Sequence, residues 1–118
     1  MTTVANGAVA LVALLHAYFL VLEMFLWTKP FGLRTFGLTR EFAAASKSLA
    51  ANQGLYNGFL AAGLVWGLSL GVAGDAIKIF FLCCIIVAGV FGALTVSRKI
   101  VWVQALPAAI ALALVLLS

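Results

Sequence analysis

With 118 residues, 66% of them hydrophobic and 8% charged, the chain is excluded from the water-soluble globular class and matches an integral membrane protein. Its formal charge of +4 comes from seven Lys or Arg against three acidic residues, and these sit almost wholly between apolar runs, where they set topology. No aromatic-basic interleaving or nucleic-acid module accompanies them, so no nucleic-acid partner is expected.

The first predicted span covers residues 4–27, interrupted by Asn6, His16, Tyr18 and Glu23; a crossing needs about 20 residues. It lacks the basic start of a signal peptide, and its apolar run is too long for one, so it is expected to be retained. A polar connection follows, holding Lys29, Arg34, Arg40 and Lys47. Within it, Thr39 before Arg40, Glu41 and a run of alanines predicts a capped helix start, making the connection partly helical at the membrane surface.

Residues 49–71 form the second predicted span, with Gly54, Gly58, Gly63, Gly67 and Gly71 leaving small-residue strips for close helix approach. After a tight turn, Asp75 is a plausible N-cap for the third span, 76–97, whose Lys78 is expected to snorkel outward. Arg98 and Lys99 mark a short turn before the fourth, 100–117, in which Pro107 removes one backbone hydrogen bond and predicts a kink. The fold class is therefore all-α, a single four-span transmembrane bundle.

With four spans, the first and third connections hold six basic residues and the second offers only Lys78. Positive-inside counting places both termini outside the cytoplasm. At ~1.5 Å rise per residue, His16 then lies near the midplane, and Glu23 roughly 10 Å closer to the cytoplasm. Asn52, Gln53, Tyr56 and Asn57 enter from the cytoplasmic side on the second span, and Gln104 lies in the same half on the fourth.

A charge inside a span is expensive and marks a functional candidate, so Glu23 comes first. Its expected partners are Gln53, Asn52, or a cation such as Lys29 or Arg98. Each polar residue also has a structural reading: Glu23 as a rim carboxylate, His16 as a core hydrogen-bonding group, the amides as fastenings between helices, and Trp27, Trp66 and Trp102 as interface anchors or packing groups rather than substrate platforms. Cys83 and Cys84 are adjacent, cannot readily bridge to each other and read as small apolar packing groups. One His, one carboxylate and two misplaced Cys make no usual metal set, and no nucleotide loop or nucleophilic triad is recognisable; no cofactor is expected.

The segments His16-Ala17-Tyr18-Phe19, Leu22-Glu23-Met24-Phe25-Leu26-Trp27, Ala51-Asn52-Gln53-Gly54-Leu55-Tyr56-Asn57-Gly58, Thr95-Val96-Ser97-Arg98-Lys99 and Val103-Gln104-Ala105-Leu106-Pro107 resemble a family of small bacterial membrane proteins catalogued as a domain of unknown function, number 1304. The resemblance covers nearly the whole chain and implies a compact four-helix inner-membrane protein. Two other groups are similar in architecture. The eicosanoid and glutathione membrane enzymes share an Asn-rich, Tyr-bearing second helix, although their Arg- and Glu-bearing signature is missing here. Small multidrug resistance transporters share the four spans and a first-helix carboxylate, which here lies near the cytoplasmic end.

The leading expectation is a homo-oligomeric module that binds a small amphipathic molecule or lipid in a cytoplasm-facing intramembrane cavity. His16, Glu23, Asn52, Gln53, Tyr56, Asn57 and Gln104 would line it, polar groups fixing the head and the apolar half taking the tail. The alternatives are a proton-coupled transporter using Glu23, a membrane enzyme with Glu23 or His16 as base and Tyr56 as acid, and a purely structural polar cluster.

Overall fold

The computed structural model describes residues 1–118 and is all-helical, with no strands. Helix α1 is Thr2–Met24, α2 Pro30–Phe36, α3 Arg40–Ser69, α4 Asp75–Thr95 and α5 Leu106–Leu117. A 3₁₀ turn, Gly71–Gly74, precedes α4, and a π turn, Val101–Ala105, precedes α5. Two helical stretches, Thr2–Met24 and Gly71–Thr95, are long and apolar enough to cross a membrane. In α3 the amides and glycines dilute the apolar run, and the Val101–Leu117 stretch is shorter.

By its contacts the chain divides into two compact units, Leu14–Ala61 and the pair of segments Met1–Ala13 and Ala62–Ser118. The Leu14–Ala61 unit is ordered by local signals. Pro30 sits in the first turn of α2, where its missing N–H costs nothing. Gly37 ends α2 at φ 64°, the left-handed conformation that a Cβ disfavours, and the Leu38 N–H closes back on the Leu33 carbonyl at 2.9 Å. Thr39 then caps α3 as its sequence context predicts, its Oγ1 accepting from the Phe42 N–H at 3.1 Å. The buried residues of this unit are His16, Leu22, Glu23, Gly32, Ala43, Ala50, Gly54, Asn57 and Ala61.

In the other unit the apolar core is Ala5, Val9, Val12, Ala13, Leu64, Leu82, Ile85, Ala105, Ala108, Ala111 and Val115. Helix α4 packs on the π turn and α5, and Gly89 makes the approach close: a Cβ there would lie 2.7 Å from the Ala105 backbone nitrogen. Just before Pro107 the helical ladder passes through the π turn, in which the Leu106 N–H reaches back five residues to the Val101 carbonyl. Pro107, in the first turn of α5, has no N–H to offer the Val103 carbonyl four residues before it.

Two expectations are corrected in this unit. Asp75 is the first residue of α4 and Gly74 the cap, so the carboxylate is free for a side-chain partner. That partner is Lys78, which does not snorkel outward but is 2% exposed. Its Nζ donates to Asp75 Oδ1 at 3.0 Å, Asn6 Oδ1 at 3.1 Å and the Gly71 carbonyl at 3.3 Å. Three N–H donors meet three acceptors, and an ammonium that is fully bonded can be buried. The cluster ties α1, the 3₁₀ turn and α4 together.

Replacing Lys78 by Met removes all three bonds while keeping most of the side-chain volume. Asp75 is 37% exposed and can rehydrate, so the loss is expected near a buried hydrogen-bonded group's cost, about 1–3 kcal/mol, rather than that of a fully buried broken pair. An unchanged unfolding midpoint of the detergent-solubilised variant would show that the cluster contributes nothing to stability.

Candidate functional site

Helices α1 and α3 meet within the Leu14–Ala61 unit because α3 presents no side chains at two positions of contact. A Cβ on Gly54 would lie 2.7 Å from Met24 Cγ, 3.1 Å from Glu23 Cβ and 3.3 Å from the Leu20 carbonyl oxygen. One on Gly58 would lie 2.6 Å from Leu20 Cδ1. Asn57 falls between these glycines on the same side of α3, three residues after one and one before the other.

The glycine step brings Asn57 against Glu23. The Asn57 amide Nδ2–H donates to Glu23 Oε1 at 2.5 Å across 34 residues of chain, with both side chains buried. The partner of Glu23 is thus Asn57, and neither Asn52, Gln53 nor a loop cation. Because a carboxyl has acceptor positions on both oxygens, one amide donor leaves capacity for others. This is what distinguishes the pair chemically from the saturated Lys78 cluster.

His16 is fully buried, its ring 5.2 Å from that of Phe19 in an edge-to-face arrangement. Glu23 and His16 are seven residues apart and both buried, consistent with one face of α1. Asn52, Gln53 and Tyr56 are exposed, with the Tyr56 ring edge-on to Phe59 at 5.7 Å. They share α3 with Asn57 but not its buried side. Gln104 is half-buried in the π turn, within the other unit. Of the predicted site residues, the structure therefore joins Glu23 and Asn57 directly.

Sequence reasoning missed the polar contact beside this pair. Trp27, read as an interface anchor, donates its indole N–H to Ser46 Oγ at 3.0 Å, and its ring lies 5.0 Å from that of Phe36. A Trp at the end of one helix and a Ser seven residues into the expected start of the next was the available signal. The groups of His, Cys, Asp and Glu form no constellation that could hold a metal ion.

Residues 10–116 match the family described as "Protein of unknown function (DUF1304)". The chain is similar to an "Uncharacterized protein YpaA" of Lactococcus lactis subsp. lactis (strain IL1403), with 34% identity over 96 residues, covering 80% of this chain and 81% of that protein. No solved structure matches the chain.

The geometry separates two substitutions at the pair. Glu23→Gln keeps a carbonyl oxygen to accept the Asn57 N–H and should cost less stability than removal of the amide. Asn57→Ala strands the buried carboxyl and should cost about 1–3 kcal/mol. Unfolding midpoints in detergent check the order; equal losses would remove the Asn57 bond from the account.

Proposed function

Since the chain belongs to the DUF1304 family of proteins of unknown function, we propose a function from its own chemistry: a multi-pass protein of the bacterial inner membrane that holds the polar head of a small amphipathic molecule or lipid at Glu23 and Asn57. The observation that carries this reading is the buried Glu23–Asn57 bond, in which a carboxyl inside an apolar helix pair has one amide donor and unused acceptor positions. The matching ligand head is one that donates hydrogen bonds, an amine or a hydroxyl.

Membrane insertion is supported by the two stretches long and apolar enough to cross, most of whose surface is left unburied. Large apolar side chains such as Leu11, Leu14, Phe80, Val87, Phe91 and Leu94 are more than 60% exposed, far beyond what a monomer in water tolerates. In the four-span arrangement, α3 and the Val101–Leu117 stretch join α1 and α4, six basic residues face the cytoplasm and both termini lie outside it. Glu23 and Asn57 then lie in the cytoplasmic half. The exposed amides of Asn52 and Gln53, which both donate and accept, suit contact with a second copy of the chain.

The test is native mass spectrometry of the gently solubilised protein, wild type beside Glu23→Gln, which keeps the helix pair intact, and Asn57→Ala. A small amphipathic species retained by wild type and lost from Glu23→Gln is the expected result, with the subunit number read from the same spectra. If all three proteins are empty and Asn57→Ala is merely less stable, the pair is a fastening between helices and the binding reading fails.

A further inference from the structure

The connection between α1 and α3, together with the first turns of α3, displays four cations, Lys29, Arg34, Arg40 and Lys47, all exposed, against a single carboxylate, Glu41. Among them stand three large exposed rings, Phe31, Phe36 and Phe42, at 45%, 40% and 56% exposure. On α2, Phe31 and Arg34 are three residues apart and share a face; on α3, Arg40 and Lys47 are seven apart and do the same.

These groups are presented from a fixed frame. Gly32 is buried with its Cα against the Leu26 carbonyl, so close that a Cβ would collide with it. The Trp27 indole bonds Ser46, whose hydroxyl donates to the Phe42 carbonyl at 2.7 Å, and the Trp27 ring packs on Phe36. The Gly37 turn and the Thr39 cap set the path between α2 and α3. Each end of the connection is thereby pinned, and the cations project from helices or helix ends.

From this geometry we infer that the connection is a docking surface for the headgroups of anionic phospholipids, separate from the Glu23–Asn57 site and independent of any ligand there. The chemistry of the surface selects that occupant. Cations alone would suit any polyanion, but phenyl rings interspersed among them belong at the boundary of acyl chains and headgroups, where the rings enter the apolar layer and the long basic side chains reach the phosphates. The surface directly follows α1, one of the two helical stretches able to cross the bilayer, so its partner is the leaflet at that helix's end. Trp27 lies inside the frame and is a built-in reporter.

The experiment uses the full chain carrying Trp66→Phe and Trp102→Phe, so that Trp27 alone fluoresces, reconstituted in phosphatidylcholine vesicles with graded amounts of phosphatidylglycerol, either lipid being acyl-brominated to quench. The expected association of phosphatidylglycerol relative to phosphatidylcholine at Trp27 is about fivefold or more. It should fall towards one in the variant Lys29→Gln, Arg34→Gln, Arg40→Gln, Lys47→Gln. The same fall is expected for the unsubstituted surface at about 0.5 M salt, where charge attraction between exposed groups is screened and folding of a variant is not in question. A ratio near one at low salt overturns the inference. So does a preference abolished by inorganic phosphate at constant ionic strength, which would make the surface a free-anion site, and so does failure of either lipid to quench, which would place the connection away from the bilayer.

Discussion

A carboxyl inside an apolar helix is the constraint on which the Leu14–Ala61 unit depends. Glu23 can be buried only if a donor comes within hydrogen-bond reach. In α3 that donor is an amide too short to cross an ordinary gap between helices, so the helices must touch. Gly54 and Gly58 supply the contact by giving up their side chains on either side of Asn57. Two glycines in a helix are unfavourable by up to about 1 kcal/mol each relative to alanine, and the pair they permit offsets part of that. Glycine placement, amide position and carboxylate burial are a single arrangement, and none of the three is explicable without the others.

The second unit solves the same problem with the opposite charge and a different outcome. Lys78 is enclosed by oxygens from three places in the chain, one for each of its N–H donors, and nothing is left over for a further partner. Glu23 has one bond and room for more. A buried ionisable group is thus common to both units, but unused bonding capacity is found at Glu23, which is why the functional reading rests there.

Local chemistry was legible in the sequence. Thr39 opens α3 as expected, because a cap acts within a turn of itself, whereas the separate helix α2, bracketed by Pro30 and Gly37, was not anticipated inside the connection. The membrane-like character followed from composition, and Glu23 stood out as a carboxylate in an apolar run. Its partner did not. Asn52, Gln53 and Asn57 lie within six residues and are chemically alike, and only the rotation of α3 about its axis, fixed by Gly54 and Gly58 meeting Leu20, decides that Asn57 turns inward while Asn52 and Gln53 stay exposed. Lys78 was misread for a related reason. A lysine one turn into an apolar helix reads as an outward-reaching charge, and nothing local announces that Asn6, 72 residues earlier, waits for it.

The π turn at Val101–Ala105 has a different kind of implication. A turn closed over five residues instead of four is an α-helix carrying one residue more than its pitch accommodates. Removing one residue there would let the ladder close in the ordinary way, with the helical segments before and after the turn keeping their faces. Single-residue insertions and deletions are normally forbidden inside a packed helix, yet this segment is where such a change could be absorbed. The five residues of the turn, Gln104 among them, are those whose directions such a change would reset.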